Sequence, residues 1–116
     1  MPVVTVRTSV TLSPKQTDAL SSALGRAISL APGKDKASLL IFFEGGKEYR
    51  YAGAHEGDVA HLRVAMLHHR EHLGYQQLTP ALTSAVSTLL SIPPERVMIS
   101  YEDIDAWGVG PYTVEG

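Results

Sequence analysis

The sequence predicts an α/β fold in which two βαβ units form a four-stranded mixed sheet with two helices on one face. Two observations carry that expectation. A strand-like run, a helical stripe opened by a hydroxyl residue and proline, and a second strand-like run follow one another, and the same order then repeats. The 116 residues also suit one domain, spanning 1–116, around a single core. Each unit reads as a crossover, which implies parallel pairing within the unit and a right-handed connection.

The chain opens on Met1-Pro2-Val3-Val4-Thr5-Val6-Arg7, a β-branched run beginning immediately after the initiator methionine. Proline is tolerated at the first position of a strand, where its missing N–H breaks no ladder. Ser13-Pro14 reads as an N-cap with proline at the first helical position. Leu20, Leu24, Ala27, Ile28 and Ala31 then recur at three- and four-residue spacing, and Pro32-Gly33 is expected to stop the helix. Leu39-Leu40-Ile41-Phe42-Phe43 lacks alternation, the pattern of a strand covered on both faces. Gly45-Gly46 marks a turn, and residues 47–51 suit a short hairpin strand.

Residues 59–67 read as the strand that opens the second unit, with His61 and Arg63 breaking its apolar character. Thr79-Pro80 repeats the Ser13-Pro14 signature, and Leu82, Ala85, Val86, Leu89 and Leu90 form the second helical stripe. Pro93-Pro94 ends it before Val97-Met98-Ile99-Ser100-Tyr101, a second buried-strand candidate. Two helices cover only one face of a four-stranded sheet. The strands are too apolar for the other face to stand in water, so a closed symmetric oligomer is expected. The tail Trp107-Gly108-Val109-Gly110-Pro111-Tyr112 mixes aromatic and flexible residues, suited to a neighbour's sheet edge or a pocket.

Composition narrows the function classes. A net charge of −2 gives no electrostatic reason to expect nucleic acid or an anionic membrane as partner. The chain has no cysteine, which excludes disulfides, thiolate metal sites and thiol redox chemistry. No apolar run approaches the roughly 20 residues that span a bilayer, and no secretory pattern opens the chain. A cytoplasmic location is the expectation.

Pro2 has two readings at this level. It favours removal of Met1, as a small start-site residue would. Once Met1 is gone it is also a secondary amine at the end of a rigid element. An apolar surround disfavours the charged amine, lowers its pKa and leaves a neutral base near pH 7.

Met1-Pro2 leading into a strand, Gly33-Lys34 after the first helix, and Ile92-Pro93-Pro94-Glu95-Arg96-Val97-Met98-Ile99-Ser100-Tyr101 with Asp103 carry a resemblance, and Val109-Gly110 extends it. In order, spacing and total length the chain resembles, nearly end to end, the macrophage migration inhibitory factor and D-dopachrome tautomerase family. The resemblance implies a homotrimer whose sheets enclose a central barrel. It implies cofactor-independent keto–enol tautomerisation of α-keto acids such as phenylpyruvate, with Pro2 as general base and acid. Lys34 matches the family's substrate-binding cation, although a lysine there also complements a helix C-terminus. A backbone N–H at the end of the fourth predicted strand contacts substrate in the family, and here falls at Met66 or Leu67. Val109 matches the start of the family's tail beside the pocket. No cofactor or metal is implied.

The chain departs from the family where tyrosine and asparagine often face the neighbouring subunit's pocket: it has Met98 and Ser100. Pro111 stands where the tail often carries an aromatic, with Trp107 and Tyr112 nearby as substitutes. Asp58-Val59-Ala60-His61 replaces the Cys-x-x-Cys of some relatives, so redox activity tied to that motif does not apply. Two alternatives stay open, the first through Arg7 and Arg63 and the second through Met98 and Ser100. One is hydration, decarboxylation or dehalogenation of an unsaturated acid. The other is a non-catalytic, cytokine-like binding role on the same scaffold.

All five histidines lie between His55 and His72, with His68 and His72 four apart. Imidazoles at that spacing suit a metal on a helix. No carboxylate or histidine elsewhere completes the set, and Arg70 opposes a cation, so a solvated titratable loop is the expectation. Arg7 and Arg63 lie in predicted strands, placed to bind a carboxylate, to face solvent or to pair with Glu44.

Overall fold

Chain order in the computed structural model, which describes residues 2–31, 36–67 and 74–115, is β1 (Pro2–Thr8), α1 (Pro14–Ile28), β2 (Leu40–Glu44), β3 (Ala60–Leu67), α2 (Tyr75–Leu90), β4 (Val97–Ile104), β5 (Ala106–Val109) and β6 (Tyr112–Glu115). The main sheet runs β2-β1-β3-β4, parallel within each βαβ unit and antiparallel where β1 meets β3. This is the expected mixed sheet. β5 and β6 form a separate hairpin, turned at Gly110-Pro111 with Gly110 at φ +56.

Period-two alternation gives the sheet two unlike faces. Pro2, Val4, Val6 and Thr8 of β1 and Ala60, Leu62, Val64 and Met66 of β3 are buried on one face. They pack with Leu20, Leu24, Ala27 and Ile28 of α1 and Leu78, Leu82, Val86 and Leu90 of α2 into the core. Full burial stabilises each of the valine, leucine, isoleucine and methionine side chains among them by about 1.5–3 kcal/mol. Residues of opposite parity, from Val3 and Thr5 to Ala65 and Glu102, line the uncovered face. Leu40 and Phe42 stand 50% and 54% exposed there.

α1 begins as its sequence predicts. The Ser13 hydroxyl accepts from Gln16 N at 3.1 Å, and Gln16 Oε1 accepts from Ser13 N at 2.9 Å, a reciprocal capping box with Pro14 following. α1 ends at Ile28, ahead of Pro32-Gly33, which lie outside the described residues.

Three expectations are corrected. The 39–43 run is not covered on both faces: β2 is an edge strand whose Ile41 and Phe43 face the core while Leu40 and Phe42 do not. The 97–101 run likewise turns Met98, 39% exposed, to the uncovered face. Residues 47–51 form no strand among the described residues. Lys47 N still donates to Thr8 O at 3.0 Å, after which the chain leaves the sheet and closes a tight turn where Tyr51 bridges Ala54.

Arg96 holds that loop. Its Nε donates to Asp58 O at 2.8 Å and its guanidinium to Glu56 O at 2.9 Å, while it lies 5.1 Å from the Tyr51 ring centroid. A further correction concerns Thr79-Pro80. α2 starts at Tyr75 after Gly74, which takes φ +88, so Pro80 sits inside the helix rather than opening it.

Gly45 is demanded by close approach. A Cβ there would meet Leu12 Cγ and Val10 O at 2.9 Å, distances that side-chain carbons do not tolerate. Among the described residues no helix is long and apolar enough to cross a membrane.

Candidate active site

Strand register decides which candidate residues meet. Pro2 is the first residue of β1, buried, and pairs with Met66 of β3, which in turn pairs with Asp103 of β4. Side chains in one row share a face, so Pro2, Met66 and Asp103 all point to the helix side. Adjacent strands lie about 4.8 Å apart, which puts Pro2 and Asp103 roughly 10 Å apart across the sheet. The strand bearing Met66 is the third, since residues 47–51 add none before it.

A polar cluster closes this end. The Tyr75 hydroxyl donates to Asp103 Oδ1 at 2.5 Å, and the Tyr75 ring stacks on Tyr101 with centroids 4.1 Å apart. Tyr101 Oη and Thr79 Oγ1 share a hydrogen bond of 2.7 Å. Burial raises the Tyr75 pKa well above the ordinary phenol value, and the Asp103 carboxylate raises it further because a hydrogen-bonded phenol beside an anion resists ionisation. Burial raises Tyr101 too, with the Thr79 contact opposing it in part.

Sequence reasoning did not pick out Tyr75 or Tyr101. The signal for the second was present, since Tyr101 and Asp103 are two apart in a strand and share a face. Tyr75 joins them only through the long-range packing of α2.

Met98 and Ser100 lie elsewhere. They share the uncovered face of β4, in register with His61 and Arg63 of β3. His61 pairs onward with Arg7, five residues along β1 from Pro2 and roughly 17 Å away at about 3.4 Å per residue. One chain therefore brings Pro2 and Met66 together and holds Met98 and Ser100 apart from them, on the opposite face. Val109 ends β5, in the separate hairpin. Lys34 and the initiator Met1 lie outside the described residues, as do His68, His69 and His72.

The remaining candidates have partners of their own. Arg7 lies 3.3 Å from Glu44, one of the arrangements expected for it. Arg63 donates to Glu102 Oε2 through Nε at 3.1 Å and through its terminal nitrogen at 2.6 Å. Both guanidiniums thus already hold a carboxylate of the same chain. Asp58, in the replaced thiol motif, accepts from Ser9 Oγ at 2.9 Å and so helps join the end of β1 to the entry of β3.

Trp107 lines a concavity on the uncovered face with Val3, Leu40, Phe42 and Ile104, and Tyr112 is exposed. The Trp107 Nε1 atom is buried there with no hydrogen-bond partner among the described residues. Among the described residues no group of three or more His, Cys, Asp or Glu is placed to hold a metal.

Comparison with known proteins adds a family to this geometry. The family model for macrophage migration inhibitory factor matches residues 1–114. No curated protein matches the chain. Among solved structures, MIF2 of Leishmania major superposes with a TM-score of 0.90 at 22% identity, covering 98% of this chain and 97% of that one. A fused 4-OT described as an asymmetric trimer gives 0.83 at 17% identity, covering 96% and 94%. Pt0534, a protein inactivated by 2-oxo-3-pentynoate, gives 0.82 at 20% identity, covering 94% and 92%.

Proposed function

Because the chain belongs to the macrophage migration inhibitory factor family, we propose that it is a cofactor-independent keto–enol tautomerase of phenylpyruvate-like α-keto acids. Pro2, with Met1 removed, is its general base and acid. The observation that carries this reading is the setting of Pro2, buried at the first position of a central strand beside Met66. A secondary amine held there loses the solvation that favours its charged form, so the neutral base is populated near pH 7.

Neutral Pro2 takes a proton from the carbon beside the substrate ketone. The released C–H pair forms the enol double bond, and the carbonyl π pair moves to oxygen. The protonated amine then delivers its proton to that oxygen, so one proton has moved and the amine is regenerated. Lys34 and the backbone N–H of Met66 stabilise the negative charge that develops.

Met98, Ser100 and Val109 complete the pocket. Met98 and Ser100 occupy the sheet face opposite Pro2, so they reach a Pro2 pocket only from a neighbouring chain. The working unit in this reading is a homotrimer, a state supported by the trimeric form described for the fused 4-OT of the same fold. The inactivator of Pt0534 is itself a 2-oxo acid, which supports the substrate class. Hydration or dehalogenation of unsaturated acids calls for arginines available to a substrate carboxylate. Arg7 and Arg63 instead hold Glu44 and Glu102.

The test is phenylpyruvate enol–keto interconversion, followed by ultraviolet absorbance, on protein whose intact mass shows Met1 removed. Turnover well above buffer is expected. Pro2→Ala should lower it by about 10²–10⁴-fold, the usual worth of a positioned general base, with the trimer intact. A processed trimer without turnover would sink the assignment and favour a binding role on the same scaffold.

A further inference from the structure

We propose that His61, steadied by Ser100, is the hydrogen-bond donor that this chain presents to a neighbouring chain's Pro2 pocket, where it binds the substrate carboxylate. The inference rests on the tautomerase reading and adds a residue to it.

Met98 is a thioether and donates nothing, and the Ser100 hydroxyl is short. That hydroxyl is already engaged, with Ser100 Oγ 2.9 Å from His61 Nε2. The ring leans diagonally along β4, since the backbone partner of His61 is Met98. With Ser100 donating to Nε2, the neutral imidazole carries its proton on Nδ1 and donates outward. Among the described residues Nδ1 makes no hydrogen bond. His61 is exposed, on the same face as the two residues assigned to the neighbour's pocket.

Its surroundings suit an anion. Two concavities share His61 and Arg7 as lining. One is closed by the loop that carries Lys47, Tyr49 and Arg50, and the other by Glu44 and Arg63. Arg7 is balanced by Glu44, and Arg50 lies 3.5 Å from Glu48. Lys47 makes no ion pair among the described residues, so the first concavity keeps a cation without a counter-charge. A small carboxylate bearing an apolar or aromatic body fits that lining. Its oxygens would accept from His61 beside Lys47, and its body would lie on Met98 and the tyrosines.

The experiment compares wild-type, Pro2→Ala, His61→Phe and His61→Asn proteins on phenylpyruvate, with molar mass by light scattering as the assembly check. His61→Phe should raise KM at least tenfold with kcat within threefold, and His61→Asn, which restores an N–H donor, should recover most of the loss. Wild-type KM in His61→Phe, with Pro2→Ala inactive, would overturn this inference and leave the Pro2 reading standing. If His61→Phe fails to assemble, Ser100→Ala takes its place. A KM rise of threefold or more is then expected, and an unchanged KM overturns the proposal. If the processed wild-type protein has no turnover, the Pro2 reading fails separately, and phenylacetate binding by calorimetry decides the matter. Affinity weakened at least fivefold by His61→Phe supports the proposal. Equal affinity, or no binding by the wild type, overturns it.

Discussion

The two βαβ units share one strand–helix–strand order, yet their helices begin by different means. α1 starts at a local device, the reciprocal Ser13–Gln16 capping box, and Pro14 follows at the first helical position. α2 has a comparable dipeptide, Thr79-Pro80, but runs through it, beginning five residues before Pro80 without a side-chain cap. The difference lies in where the buried stripe starts. In α1 the first buried residue is Leu20, six residues after Pro14, so the opening turns are held by the cap alone. In α2 the first buried residue is Leu78, ahead of Pro80, and the helix must already exist there for Leu78, Leu82, Val86 and Leu90 to share a face.

Magnitudes show why the second arrangement holds. A proline in a helix interior costs about 3 kcal/mol relative to alanine. Burial of Leu78 contributes about 1.5–3 kcal/mol. The Tyr75–Tyr101 stack adds about 0.5–1.5 kcal/mol, and the Tyr75–Asp103 hydrogen bond about 1.5 kcal/mol. Tertiary contacts therefore outweigh the local penalty. Pro80 is exposed, which leaves the carbonyl that lacks its N–H partner open to water.

The comparison breaks first at Pro80. Pro80→Ala should raise unfolding free energy by up to about 3 kcal/mol, read as a higher urea midpoint at unchanged slope. Unchanged or lower stability would mean that the proline bends α2 to fit the sheet. Ala at the equivalent early position of α1, Pro14, should gain nothing of that size, because proline at the first helical position displaces no hydrogen bond.

Next in size is Tyr75→Phe, which should cost about 1.5 kcal/mol at neutral pH through loss of a hydrogen bond to a carboxylate. The same variant carries a pH signature. The folded-state pKa of Tyr75 is raised above its ordinary value of 10.0, so the folded chain keeps a proton that the unfolded chain releases. That contribution is fully present below about pH 10 and is lost as pH climbs toward the folded value. Denaturant titrations from pH 8 to 11 should show the wild type losing stability more steeply than the variant. Parallel curves would remove Tyr75 as the source.

The smallest effect sharpens the contrast between caps. Ser13→Ala should destabilise by about 1 kcal/mol. Thr79→Ala should cost about half as much, because Thr79 bonds the Tyr75 carbonyl and Tyr101 from within a formed helix, where alanine has the better propensity. Equal losses at the two positions would argue that both act as caps.

These contrasts show how far the candidate site was legible. Pro2 stood out because proline followed by a β-branched run is a local pattern, whereas Met66, with Leu67 as its alternative, came from the family resemblance. The Tyr75–Asp103 contact was not legible, because it joins residues 28 apart through the packing of a helix against a strand. The Arg63–Glu102 pair was missed for a similar reason: which carboxylate an arginine meets depends on the register between β3 and β4. Residues 47–51 look like a strand by composition. A strand needs a neighbour to receive its hydrogen bonds, and within the described chain this segment meets Arg96 instead, through the Tyr49 hydroxyl and the Tyr51 ring.

The sequence by itself determined the cap of α1, both helical stripes and the doubled βαβ plan, because spacing and turn chemistry act over a few residues. Tertiary structure decided the rest. It set the order β2-β1-β3-β4, moved the start of α2, and sent Pro2 and Met66 to one face while Met98, Ser100 and His61 went to the other. Those outcomes depend on which strands pair and in what register, and a shift of one residue would exchange the two faces.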